Sequence, residues 1–120
     1  MFVRWKRRAL LERVSTYEKR PSPWGDGTLT FMSHRDKIVG WIRTAYLIKA
    51  IRTPEGPRQE YLCRLGSFQE DYEGDREERE QFWDDAQWGV LEHVDPDDRD
   101  QIVAALVAVI PKPKGWDGRI

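Results

Sequence analysis

Between Ile38 and Gly66 the chain alternates on both sides of a single breaker, a pattern few folds accommodate. Val39, Trp41, Arg43, Ala45, Leu47, Lys49 and Ile51 form one set, and Ile42, Thr44, Tyr46, Ile48 and Ala50 form the other. A period of two is the signature of a strand. Thr53-Pro54-Glu55-Gly56-Pro57 interrupts the run. Arg58 to Leu65 then resumes it, with Tyr61, Cys63 and Leu65 alternating against Glu60, Leu62 and Arg64. Two β-rich runs around a Pro/Gly turn predict an antiparallel hairpin that pairs residues 41–52 with 58–65 and ends at Gly66.

The flanking segments complete an α+β pattern. Phe2 to Arg8 reads as a basic, aromatic strand, followed by Ala9 to Val14 with no clear end. Pro21 to Gly27 is a loop, Thr28 to Ser33 a short strand, and His34-Arg35-Asp36-Lys37 a charged connection. Between Asp75 and Val94, Phe82, Ala86, Val90 and Val94 recur every four residues, with Trp83 and Leu91 widening the stripe, which predicts a helix. Gly89 lies inside it and weakens it by about 1 kcal/mol relative to Ala. Asp95 as N-cap, Pro96 at the first helical position and Asp97 and Asp98 behind it predict a second helix, which Pro111 ends. Residues 112–120 form a short basic tail, expected to be mobile. The expected architecture is a small antiparallel sheet, of about three strands or slightly more, packed against two C-terminal helices.

A chain of 120 residues, 39% hydrophobic, is expected to form one small domain whose 6 Trp, 4 Tyr and 4 Phe supply much of the core volume. Its net charge of −1 conceals a division. Residues 1–66 hold 14 Lys/Arg against 6 Asp/Glu, whereas residues 67–120 hold 6 against 15. A basic β-rich part therefore precedes an acidic helical part. The longest apolar run, Ile102 to Ile110, is too short for a membrane span. No apolar segment follows the basic N-terminus as a signal peptide would require, and the lone Cys63 forms no internal disulfide. A cytoplasmic protein without membrane partners is expected.

No catalytic constellation is visible, and neither an enzyme nor a cofactor is expected. Cys63 lies mid-strand, where a buried thiol is inert. His34 and His93 lack the neighbours a metal site needs. Asp71-Tyr72-Glu73-Gly74-Asp75 and Asp95-Pro96-Asp97-Asp98 have neither the glycine nor the glutamate of a calcium loop. They read as a solvated linker and a helix cap, and are too crowded for two-metal nuclease chemistry. Gly25-Asp26-Gly27 has no lysine or helix behind it and is no phosphate loop. The basic half is the better candidate. Arg4, Lys6 and Arg8 alternate on one strand, and Arg43, Lys49, Arg52, Arg58 and Arg64 line the hairpin. Such a face can track a phosphate backbone, with Trp or Tyr stacking as a supplement. The competing reading is a solvated face that balances the acidic helices. Ile102, Val103, Leu106, Val109 and Ile110 form an apolar helix face that serves either the core or a partner, including a second copy.

Two segments carry a resemblance. One is Met1-Phe2-Val3-Arg4 followed by Lys6-Arg7-Arg8. The other runs Tyr46 to Thr53, then Gly56-Pro57-Arg58-Gln59, then Leu62 to Leu65 and Gly66, and continues into the acidic stretch Gln69 to Glu80. Together, residues 1–8 and 45–80 resemble the N-terminal β-rich region of DDE-type insertion-sequence transposases. Residues 9–44 have the character of an insertion, and these 120 residues are expected to hold no RNase H-like catalytic domain. The resemblance implies a β-rich fold and an ancestry among DNA-acting mobile elements, not transposition. The expected function is a non-catalytic nucleic-acid-associated protein, DNA being the expected ligand. The alternative is a protein-interaction module or small subunit that uses its acidic helices.

Overall fold

The structure, a computed structural model, describes residues 1–25, 27–72 and 74–120. Asp26 of the Pro21–Gly27 loop and Glu73 of the acidic linker lie outside the described residues. Strands β1 (Phe2–Pro21), β2 (Thr28–Thr53) and β3 (Gly56–Gln69) form an antiparallel sheet in the order β1-β2-β3. A 3-10 turn (Glu70–Tyr72) leads to helices α1 (Arg76–His93) and α2 (Arg99–Val107). This is the α+β architecture the patterning predicts.

The central hairpin is antiparallel as expected, from Thr53 opposite Gly56 through Leu47 opposite Cys63 to Ile42 opposite Gln69, but it does not end at Gly66, because β3 pairs on through Ser67 and Phe68 to Gln69. Gly56 sits at φ 121°, a conformation that an L side chain resists, and so closes the turn. Two bulges depart from the simple alternation. Leu62 is extra between the Ile48–Tyr61 and Leu47–Cys63 pairs, and Leu65 is extra between Tyr46–Arg64 and Ala45–Gly66. Each extra residue reverses the facing of what precedes it. Tyr61 therefore lies on the face opposite Cys63, although the sequence alternation groups the two.

Most of residues 9–44 is strand, the expected loop being confined, among the described residues, to 22–25 and 27 between β1 and β2. β1 and β2 continue past the third strand as a two-stranded ribbon, paired from Leu11–Ile38 to Pro21–Thr28, with Val39 bulged at its root. At about 3.4 Å per residue this ribbon is on the order of 35 Å long. His34 to Lys37, expected as a connection, are strand residues. Their pairing is polar, so no hydrophobic alternation betrays it: Glu12 faces Lys37, Arg13 faces Asp36, and Ser15 Oγ is 2.9 Å from His34 Nδ1. Cross-strand pairs of this kind stabilise a ladder without a core.

The core lies between the sheet and the helices. Odd-numbered β1 residues Val3 and Trp5, opposite Leu47 and Ala45, face the helices. Trp5 stacks on Phe82 at 5.7 Å and meets Phe68 edge-on at 5.8 Å, and Phe82 and Trp83 extend the ring cluster. Asp75 caps α1 by accepting from the Glu77 and Glu78 amides at 2.8 and 3.3 Å. Gly89 does not end the helix, which runs on to His93. A Cβ there would stand 2.7 Å from Leu65 Cδ2 and 3.1 Å from Cys63 Sγ, so its absence lets α1 lie close on β3.

The second helix starts later than its sequence signals imply. Asp95 to Asp98 form a turn closed by Asp98 N–H donating to the Asp95 carbonyl (2.9 Å), and the first helical bond runs from Ile102 N–H to the Asp98 carbonyl. Asp98, not Asp95, is the N-cap, and its side chain makes no capping bond. The turn brings Arg99 back to donate to the carbonyls of Val94 and Leu91 at 3.1 and 3.3 Å, so it serves the end of α1 rather than the start of α2. Ile102, Leu106 and Ile110 are buried in the chain's own core, and Val103 and Val109 pack against it. The apolar face offered by the sequence to a partner or second copy is therefore occupied from within. The tail also packs. Trp116 lies 5.7 Å from Trp83, its indole N–H donates to Asp84 at 2.9 Å, and Lys112 Nζ donates to the Ile120 carbonyl.

Candidate nucleic-acid interface

Because the helices cover one face of the sheet, the even-numbered side chains of β1 project from the other. Register across the three strands arranges that open face in four rows. Phe2, Ile48 and Tyr61 form the first, Arg4, Tyr46 and Arg64 the second, Lys6, Thr44 and Ser67 the third, and Arg8, Ile42 and Gln69 the fourth. None of these residues is acidic, whereas the acidic side chains of α1 lie behind the sheet. Cations on alternate β1 residues repeat about every 6.7 Å along the strand.

The side chains are held in place by their neighbours. Arg4 Nη2 donates to Gln59 Oε1. Arg64 Nη2 donates to Ser67 Oγ at 2.6 Å. Lys6 Nζ stands 5.3 Å from the Tyr46 ring centre, and the Arg4 guanidinium 5.7 Å from that of Phe2. The Tyr46 and Tyr61 rings lie 5.6 Å apart. Two shallow hollows run along this surface. One, of about 300 Å³, is lined by Lys6, Arg8, Tyr46 and Arg64 among others, and one, of about 360 Å³, by Arg4, Tyr46, Ile48, Gln59 and Tyr61 with Lys6.

The eight basic residues singled out by the sequence do not act as one group. Arg4, Lys6, Arg8 and Arg64 share the open face, and Arg52 follows on that side by parity at the hairpin end. Arg64, on the edge strand, also borders a hollow lined by Asp85 and Trp88. Arg43 departs from the set. It lies on the helix side with Ala45 and Leu47, where its Nε donates to Glu70 Oε1 at 2.8 Å. Lys49 and Arg58 share that side near the turn, Lys49 opposite Glu60 and Arg58 at 3.4 Å from Glu55. The signal for Arg43 and Lys49 was present in the alternation itself, which groups both with the core residues Ala45 and Leu47. The missed members of the face are Phe2, Tyr46 and Tyr61. Tyr61 reaches it through the Leu62 bulge, for which the sequence carries no marker.

An ionic cluster at the edge of the body also escaped the sequence. Glu70 accepts from Arg7 Nε and Nη2 at 2.7 and 2.9 Å, besides its bond from Arg43, and the Arg7 guanidinium lies 4.0 Å over the Trp41 ring. The hydrogen bonds from Arg7, and after them those from Arg43, hold the Glu70 carboxyl below its ordinary value. Bonding to Glu70 raises the Arg7 guanidinium in turn. Elsewhere, burial and then the charge of Glu92 push the Cys63 thiol up, which keeps it protonated and unreactive at neutral pH. No helix of the described residues is long and apolar enough to cross a membrane. No family model, curated protein or solved structure matches the chain.

Proposed function

We propose that this is a non-catalytic nucleic-acid-binding protein, DNA being its expected ligand, that docks the open sheet face on phosphates. The observation that carries the reading is the segregation of charge by layer. Arg4, Lys6, Arg8 and Arg64 stand together on rows that hold no carboxylate, with Asp71 beyond the fourth row near Gly40, and the helices pack on the other side of the sheet. A polyanion is attracted to the first layer and repelled by the second, which fixes its orientation. The resemblance of residues 1–8 and 45–80 to the front of insertion-sequence transposases supports the same ligand class. A second reading, a protein-interaction module on the acidic layer, is favoured by Trp88, which is 62% exposed on α1 one turn from Asp84 and Asp85.

Anisotropy titrations of labelled oligonucleotides, duplex and single-stranded, over a range of salt test the reading. Four phosphate contacts give a log–log salt slope of about −3 to −4. Reversing Arg4 and Arg8 to Glu together should weaken binding to every sequence and reduce the slope by about two contacts. Reversing Glu77 and Glu78 to Lys should leave binding unchanged or strengthen it. Absence of binding to either form, or binding that survives the Arg4/Arg8 reversal, removes the open face from the account.

A further inference from the structure

We propose that the open face selects an unpaired strand over a duplex, with Tyr61 and Tyr46 as its stacking platform. The inference rests on the reading of this face as a nucleic-acid surface and names the form of nucleic acid that it takes. The four rows divide by chemistry. β1 contributes a line of cations, Arg4, Lys6 and Arg8, after Phe2 at its start, whereas β2 and β3 contribute the rings of Tyr46 and Tyr61 beside Ile48, with Arg64 at the outer edge. Tyr61 is 57% exposed and lies over no helix, so its ring has no structural task in the core.

A duplex does not match this division. Its base faces are covered by their neighbours in the stack, and it presents phosphates and base edges instead. Pressed against a duplex, Phe2 and Tyr61 of the first row would meet charged, hydrated phosphate with nothing to compensate the rings. An unpaired strand separates the two chemistries as the face does. Its phosphates can follow the β1 cations while its bases turn across the sheet onto Tyr46 and Tyr61. The hollow of about 360 Å³ between Arg4 and Tyr61 lies where such a base would sit, with the Gln59 amide at its rim. Stacking on a ring discriminates little among bases, so weak sequence preference is expected.

The test compares a labelled oligothymidine of about 12 nucleotides, within the range one such surface covers, with a hairpin duplex of similar length at physiological salt. The wild type should bind the single strand at least about tenfold more tightly. Tyr61→Leu keeps apolar bulk but removes the aromatic face. It should weaken single-strand binding by about tenfold while leaving duplex affinity and the thermal melt unchanged. Tyr61→Phe should restore most of the loss. Tyr46→Leu should act in the same direction, and because Tyr46 is more covered, the Tyr61 variants decide the matter if Tyr46→Leu unfolds. Duplex affinity equal to or above that of the single strand, or a Tyr61→Leu protein that binds the single strand as well as wild type does, overturns the inference and leaves the phosphate-docking reading standing. Failure to bind either probe overturns both.

Discussion

β1 and β2 run through two regions of this molecule with opposite surroundings. At one end, residues 2–10 and 40–48 pair beneath two helices, and Ala45, Leu47, Phe82 and Trp83 are fully buried. At the other, residues 11–21 and 28–38 pair just as continuously, yet every one of them except Val14 is exposed. Dimensions record the contrast. The radius of gyration is 22.7 Å, against about 13–14 Å for a compact chain of this length. The accessible surface is 8860 Å², against about 6,800 Å² for a compact monomer of this mass. Backbone pairing and hydrophobic burial are thus separable in one pair of strands. Since isolated two-stranded hairpins are marginal in water, the ribbon owes its order to the body that anchors its root.

Paired truncations separate the two regions most sharply. Trp83→Ala removes a fully buried side chain at the centre of the ring cluster and should cost about 3–5 kcal/mol in urea melts. Tyr17→Ala removes a ring of comparable size that is 69% exposed on the ribbon, and should change stability by no more than about 0.5 kcal/mol. A large loss from Tyr17→Ala would mean that the ribbon is covered in solution and that the contrast is false.

A smaller effect of unexpected sign is predicted within the body. On propensity alone, Gly89→Ala should stabilise α1 by about 1 kcal/mol. Close approach of helix and strand reverses this, because the new methyl would meet Leu65 Cδ2 at 2.7 Å. Overpacking of this kind costs about 1–3 kcal/mol, so the variant should melt earlier than wild type. A variant that melts later would show that α1 and β3 stand farther apart.

What the sequence discloses follows the same division between body and ribbon. The hairpin and α1 are legible because their faces are buried on one side, which forces apolar residues into periods of two and 3.6. The ribbon buries neither face, so its polar pairs, Glu12 with Lys37 and Arg13 with Asp36, leave no periodic trace. The start of α2 misleads because a strong local signal, Asp95-Pro96, is overridden by a tertiary one, the return of Arg99 to the carbonyls of α1. Half of the candidate face, Arg4, Lys6, Arg8 and Arg64, follows from strand alternation and charge. Phe2 and Tyr46 follow the same alternation, whereas Tyr61 depends on the Leu62 bulge, which local composition does not announce.

Where body and ribbon meet, the expected effect is the smallest and depends on pH. Glu70 bridges Arg7 and Arg43, directly opposed residues of β1 and β2 that lie two positions before the Ala9–Trp41 pair at the ribbon root. Its carboxyl is held below the ordinary glutamate value, first by Arg7 and then by Arg43. A depressed carboxyl contributes stability that is fully present above the unfolded value, about 4.3, and is lost as pH falls through the lower folded value. Glu70→Gln should therefore be slightly less stable than wild type at neutral pH, and the difference should shrink to nothing as the solution is acidified past the glutamate range. Salt should weaken it as well, since Arg7 is half exposed. Amide exchange locates the effect. Loosening should appear at Trp41 to Arg43 and extend along the ribbon, while Tyr46 to Ile48 keep their protection because the helices hold them. If the difference between wild type and variant persists into acid, Glu70 acts through packing and not through its charge. If protection falls equally at Ile48, the root and the core are one cooperative unit, and the division between ribbon and body dissolves.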